Sequence, residues 1–151
     1  MTGLAQMLHG ISLLPLADLR PVADVAPSSA DLWRFLIPGY FFSIAIETPV
    51  LLIGLSRPHS FKRRLVAGFW LTACSYPIVV VAMPLVIGFN SPYYIPIAET
   101  FAALGEAALF ALAFHTPEIK RADRIRDWIA VIAANLCSYL IGTVFTSHGW
   151  L

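Results

Sequence analysis

The sequence predicts an all-helical integral membrane protein, a bundle of four spans built as two similar helical hairpins. Apolar residues make up 58% of the 151 residues and charged residues only 13%, compared with about 25% charged residues in an ordinary soluble domain. The apolar residues form four runs of about the 20 residues that cross a bilayer as a helix. Most of the basic residues lie between these runs, which is typical of a multi-pass protein.

The first part of the chain, residues 1–31, is predicted to be an N-terminal interfacial and lead-in segment. Its apolar run is short and is interrupted by Pro15, and it has no basic start such as a signal peptide requires. We expect a short helix from Leu4 to Leu14 at the membrane surface, followed by a polar, proline-containing stretch. A disordered tail is the alternative.

The first hairpin follows. Its first span is predicted at residues 35–55, just after Trp33, an aromatic residue suited to the headgroup region. The basic loop 56–64 ends this span, and the second span is predicted at residues 65–87. An uncharged turn with aromatic residues at the interface then leads to the second hairpin.

The second hairpin completes the four-span domain, residues 32–151. Its first span is predicted at residues 95–114 and is rich in alanine. The longest predicted loop, 115–127, separates it from the last span, residues 128–146. All four spans have a length suited to crossing the hydrocarbon core.

The distribution of basic residues predicts the orientation. Eight of the ten Lys and Arg residues lie in loops 56–64 and 115–127. By the positive-inside rule, both loops are expected in the cytoplasm and both termini outside. The membrane would be the plasma membrane, or the inner membrane of a bacterium. No broad basic face is present, so membrane lipid is a predicted partner and nucleic acid is not.

The two hairpins resemble each other in sequence. The tripeptide Cys-Ser-Tyr occurs at residues 74–76 and again at residues 137–139. A glutamate precedes its cysteine in each hairpin, Glu47 by 27 positions and Glu106 by 31. We expect the longer third loop to absorb this difference, which gives a parallel repeat about an axis along the membrane normal. Chance similarity in a biased composition is the alternative.

Glu47 is the first candidate for a functional site. An ionisable group near the bilayer centre costs roughly 3 kcal/mol or more, and such residues usually mark a site of function. Gly39, Ser43 and Glu47 are four residues apart, and small residues at that spacing let membrane helices approach closely. We therefore expect Glu47 to face the bundle interior. Pro49 adds to this site because it leaves the Ala45 carbonyl without its helical hydrogen bond.

Glu106 is the second candidate, at a similar depth in the third span. We expect it, like Glu47, to be either protonated or paired with a hydrogen-bond donor. Glu99 shares its helix face but lies nearer the outer end, where it can reach water. The expected donors come from the second and fourth spans, and they are Ser75, Tyr76, Asn135, Ser138 and Tyr139. In the alternative interpretation, these polar contacts only hold the helices together.

Several kinds of chemistry have no signature in the chain. There is no serine nucleophile motif, phosphate-binding glycine loop or paired Cys/His spacing, so no catalytic residue, metal site or cofactor is predicted. Cys74 and Cys137 are interpreted as ordinary small residues of an apolar interior. His59 and His115 are expected to be interfacial residues at the cytoplasmic ends of their spans.

Three functions are open at this point. The leading hypothesis is proton- or cation-coupled transport of a small solute through a carboxylate site made by Glu47 and Glu106. A homodimer is expected, because four helices enclose little volume. The alternative is a non-catalytic accessory or assembly subunit of a larger membrane complex. A membrane enzyme is the third hypothesis.

Overall fold

The computed structural model describes residues 29–148, and the predicted interfacial segment lies outside this part of the chain except for residues 29–31. Four helices make up the described part, in which no strand occurs. They are α1 (Ser29–Gly54), α2 (Phe61–Ile87), α3 (Tyr94–Phe114) and α4 (Arg121–Ser147). All four are long and apolar enough to cross a membrane. The predicted all-helical fold with four membrane spans is confirmed.

Many large apolar side chains point away from the bundle. Leu112 and Val86, for example, are 84% and 86% exposed. The buried side chains include serine, threonine, asparagine and glutamate as well as apolar residues. A soluble protein rarely exposes so large an apolar surface. A surface of this kind is suited to lipid, and small or polar residues are typical of the contacts between membrane helices.

The apolar core lies in the half of the bundle next to the two basic loops. It is formed by residues 51–55 at the end of α1, residues 67–71 of α2, residues 107–110 of α3 and residues 130–134 of α4. Close helix contacts depend on small residues there. A Cβ atom added at Gly68 of α2 would lie 2.5 Å from Thr48 Oγ1 of α1, and one added at Gly54 would lie 2.9 Å from Ala130 Cβ of α4.

Both basic loops are shorter than predicted. α2 begins at Phe61 and α4 at Arg121, so the loops cover only residues 55–60 and 115–120. The hydropathy pattern ends each span where charged residues begin, but the helical hydrogen bonds continue through those residues. Ser60 caps α2, since its Oγ accepts a hydrogen bond from the Arg63 N–H at 3.3 Å.

The two loops also have the same hydrogen-bond pattern. In each, an arginine of the following helix, Arg64 or Arg124, binds the carbonyls five and eight positions before it, at 2.9–3.0 Å. The loops are therefore equal in length, and equivalent positions differ by 60. The expectation that a longer third loop absorbs the difference in spacing is wrong. The Cys-Ser-Tyr tripeptides are 63 positions apart, so they lie nearly one helical turn out of register.

α2 is not uniform along its length. It is α-helical over Phe61–Pro77, π-helical over Ile78–Ala82 and α-helical again over Met83–Ile87. The change follows Pro77, which has no N–H for the helical hydrogen bond. Tyr94 of α3 donates its hydroxyl to a carbonyl of the π-helical turn, Val79, at 2.9 Å. A π-helical turn within a helix is frequent at functional sites.

Candidate functional site

Glu47 is buried between three helices, and its side chain is paired on both oxygens. The residue lies in α1 and is only 4% exposed. Its Oε2 accepts a hydrogen bond from Thr72 Oγ1 of α2 at 2.7 Å, and its Oε1 accepts one from Ser138 Oγ of α4 at 2.7 Å. The predicted inward orientation of this glutamate is therefore present.

Glu106 of α3 has a matching environment. It is 2% exposed, and its Oε1 accepts a hydrogen bond from Ser75 Oγ of α2. Its Oε2 accepts one from Asn135 Nδ2 of α4, at 2.8 Å. Both glutamates thus receive one donor from α2 and one from α4.

Together these side chains form a closed arrangement that we call the glutamate ring. Its members are Glu47, Thr72, Ser75, Glu106, Asn135 and Ser138. The two donors of α2 are three positions apart, as are the two donors of α4, so each pair lies within one helical turn. Each glutamate takes one hydrogen bond from its own hairpin and one from the other. The ring therefore has approximate two-fold symmetry and connects all four helices.

The hydroxyl groups of the ring each have a second acceptor. Thr72 Oγ1 lies 2.9 Å from the Gly68 carbonyl, and Ser138 Oγ lies 2.9 Å from the Asn135 carbonyl. Ser75 Oγ lies 3.5 Å from the Thr72 carbonyl. A hydroxyl carries one hydrogen and rotates freely. Each of the three can therefore donate either to its glutamate or to the backbone.

The two glutamates have no positively charged partner within the described residues. The ion pairs found there both involve Asp127, which is not part of the ring. Two ionised carboxylates near each other in a medium of low dielectric constant repel strongly. A bound proton or cation would remove this repulsion, so the ring is chemically suited to hold one.

Two predicted donors lie outside the ring. Neither Tyr76 nor Tyr139 donates a hydrogen bond to a glutamate; Tyr76 packs against Tyr40, with ring centroids 6.2 Å apart. Thr72 is a member of the ring that the sequence analysis did not predict. It lies three residues before Ser75, so both side chains are on one face of α2, and this spacing could have indicated its role.

A groove leads from the surface of the bundle towards the ring. It has a volume of about 320 Å³ and lies between α3 and α4. Its lining is mostly apolar, and its polar side chains are Glu99, Thr100, Asn135 and Tyr139. Because Asn135 also donates to Glu106, the groove reaches one side of the ring.

A second polar cluster lies where the two basic loops meet. Asp127 is 0% exposed; its Oδ1 accepts a 2.7 Å hydrogen bond from the Ser56 N–H. Its Oδ2 lies 3.1 Å from Ser56 Oγ, 3.0 Å from His59 Nε2 and 3.2 Å from His115 Nε2. His59 was expected to be interfacial, but its ring is buried. The cluster is eight residues, or about 12 Å along α4, from Asn135.

Comparisons with protein-family models, with curated proteins and with solved structures found no match. The functional interpretation therefore depends on the geometry of the glutamate ring and on the four membrane spans.

Proposed function

We propose that this protein is a membrane transporter that couples the movement of a proton or cation to that of a small solute, and that Glu47 and Glu106 bind the coupling ion. The observation that carries this proposal is that each hydroxyl group of the ring has a backbone carbonyl as a second hydrogen-bond acceptor, besides its glutamate. Because of it, the same ring satisfies its hydrogen bonds whether a glutamate is ionised or protonated.

The loading step follows from this geometry. When Glu47 is ionised, Thr72 donates its hydroxyl hydrogen to the carboxylate at 2.7 Å. When a proton arrives on Oε2, the new carboxyl O–H donates to Thr72 Oγ1. The threonine hydrogen then turns to the Gly68 carbonyl, 2.9 Å away. Loading and unloading thus need a hydroxyl rotation and no movement of a helix.

Two further features support a path for the solute. The groove between α3 and α4 opens on the bundle surface and reaches Asn135, so a second copy of the chain covering it would enclose a passage beside the ring. The π-helical turn Ile78–Ala82 and Pro49 lie in helices that contribute to the ring. Irregularities of this kind are the usual places where a helix bends.

The proposal also includes an orientation. The two basic loops lie in the cytoplasm by the positive-inside rule.

The proposal is tested by current measurements on proteoliposomes adsorbed to a solid-supported membrane. Concentration jumps of H⁺, Na⁺, K⁺ and a panel of small organic cations and anions are applied. We expect a transient current for at least one jump, abolished in Glu47→Gln and kept in Glu118→Gln, which alters an exposed loop residue. A Glu47→Gln protein that folds and gives the wild-type current would overturn the role of the ring.

The second candidate function is that of an accessory or assembly subunit in a larger membrane complex. One observation favours it: all four carboxylate oxygens of the ring are paired with a donor, as in a purely structural network. Native mass spectrometry from mild detergent separates the two functions. A fixed partner of different mass, together with no current for any jump, supports the subunit; a homodimer with current supports the transporter.

A further inference from the structure

We propose that His59, His115 and Asp127 form a binding site for one divalent transition-metal ion, with Zn²⁺ as the reference ion. The site joins the two hairpins, because His59 belongs to the loop of the first hairpin and the other two residues to the second. It is separate from the glutamate ring, and the proposal does not depend on the transport function.

The ligand set and its spacing suit zinc. Two imidazole nitrogens and one carboxylate oxygen, with a water in the fourth position, are a known type of open zinc site. The Nε2 atoms of His59 and His115 lie 3.0 and 3.2 Å from Asp127 Oδ2, and the three ligand atoms lie within 4.8 Å of one another. Ligand atoms of tetrahedral zinc are about 3.3 Å apart, given bond lengths of about 2.0–2.1 Å. The two pairs that include Asp127 Oδ2 already have nearly this separation.

The two carboxylate oxygens of Asp127 have unequal numbers of hydrogen-bonding neighbours. Oδ2 is within hydrogen-bond distance of three groups, the hydroxyl of Ser56 and the two imidazoles, whereas Oδ1 has the Ser56 N–H. A carboxylate oxygen offers about two lone-pair directions, so three donors exceed its capacity. A metal ion placed among Oδ2 and the two Nε2 atoms resolves this excess. The imidazoles then present lone pairs to the ion, and Ser56 Oγ is the one remaining donor.

The charge of Asp127 also favours a cation at this site. A carboxylate that is 0% exposed needs a compensating charge, yet in the described part of the chain its only ion-pair partners are the two histidines. The nearby arginines are engaged elsewhere: Arg64 donates to three backbone carbonyls, and Arg124 and Arg126 donate to two each. These bonds fix the loops that carry the two histidines and leave the carboxylate to the ion.

The imidazole rings are held in position by aromatic packing. The centroid of Phe110 lies 5.1 Å from that of His59 and 5.7 Å from that of His115, in both cases edge to face. The two imidazoles are nearly parallel, 18° apart. The side chain of His115 is 8% exposed, which gives an ion its access from the loop side.

The second ring nitrogen of His59 limits the affinity of the site for a metal ion. His59 Nδ1 is buried and has no hydrogen-bond partner, whereas the second nitrogen of a zinc-bound histidine normally donates to a carbonyl or carboxylate. The loss of such a partner weakens metal binding by about 10- to 100-fold. We therefore expect an exchangeable ion that chelators remove.

The test uses the full-length protein in detergent, stripped with EDTA and titrated with Co²⁺. We expect visible d–d absorption typical of tetrahedral cobalt, saturation at one ion per chain, and displacement by Zn²⁺. His115→Ala should weaken Co²⁺ binding by at least about 100-fold, because it removes a ligand. His148→Ala, at the far end of α4, should not change it. No stoichiometric cobalt binding, or unchanged binding by a folded His115→Ala protein, would overturn the site.

A second measurement does not require a variant to fold. X-ray absorption of the zinc-loaded wild-type protein should give a first shell of nitrogen and oxygen with the outer scattering of two imidazoles. Sulfur in that shell would assign the ion to Cys74 or Cys137, both free thiols, and would contradict the proposal.

Discussion

Ser138 Oγ donates a 2.7 Å hydrogen bond to Glu47 Oε1 across 91 positions of the sequence. This bond connects the first and last helices, and it closes the glutamate ring. Without it, one oxygen of a glutamate that is 4% exposed would have no donor.

Ser138→Ala should therefore destabilise the protein. Interhelical hydrogen bonds in membrane proteins contribute about 0.5–2 kcal/mol, and we expect a loss in the upper part of this range. Thermal unfolding in detergent, followed by circular dichroism, measures it. Ser147→Ala is the matched control, because the hydrogen bonds of Ser147 Oγ are local, to the Val144 carbonyl and the adjacent His148. Equal stability of the two variants would contradict the structural role of Ser138.

Gly68→Ala should separate α1 from α2. Its Cβ atom would lie 2.5 Å from Thr48 Oγ1 and 3.1 Å from the Thr48 Cα, so the helix backbones must move apart. Overpacking of this kind costs about 1–3 kcal/mol. Gly105→Ala is the control, since nothing lies within 4 Å of the added atom and alanine is the better helix former. A Gly68→Ala protein as stable as Gly105→Ala would show that this close contact is not needed.

Thr72→Val tests the loading step without changing the size of the side chain. Valine can neither donate to an ionised Glu47 nor accept the hydrogen of a protonated one, so both forms of the ring lose a hydrogen bond. Hydrogen bonds to charged groups contribute about 1.5–3 kcal/mol, so the ionised form is destabilised most and the coupled current should fall about tenfold or more. Thr143→Val, which removes an exposed hydroxyl bonded within α4, should keep the current. A wild-type current from Thr72→Val would exclude a role of this hydroxyl in proton loading.

Single cysteines test the orientation of the protein in a background that lacks Cys74 and Cys137. The two substitutions are Ser91→Cys, in the loop between α2 and α3, and Ser60→Cys, in the first basic loop. A membrane-impermeant maleimide applied to intact cells should label position 91, and it should label position 60 only after lysis. The reverse pattern would overturn the assignment of the basic loops to the cytoplasm.

Much of the fold is predictable from the sequence because lipid imposes simple constraints on length and polarity. Four apolar runs predict four spans, and a carboxylate inside a span predicts an inward-facing site. The structure brings five of the predicted residues together in the ring, and they are Glu47, Ser75, Glu106, Asn135 and Ser138.

Other parts of the site depend on information that hydropathy does not contain. Thr72 was missed because a threonine within a span commonly bonds its own helix, as this one also does with Gly68. His59, His115 and Asp127 all lie in the predicted basic loops, where charged and polar residues are expected to be solvated. Their burial follows from the way the two loops meet, which depends on tertiary contacts alone.

Each glutamate of the ring accepts one hydrogen bond from the other hairpin, and this pattern affects how the two hairpins associate. Each hairpin taken alone would carry a carboxyl group with one donor in place, and a second donor, one helical turn away, with no acid to receive it. In lipid, apolar contact does little to make helices associate. The polar groups that lack a partner in the isolated hairpin therefore supply the attraction, and they determine which face of each hairpin contacts the other. A hairpin of this kind is self-complementary. Two such hairpins related by a two-fold axis would complete each other, and the present chain carries two hairpins with this bonding pattern in one polypeptide.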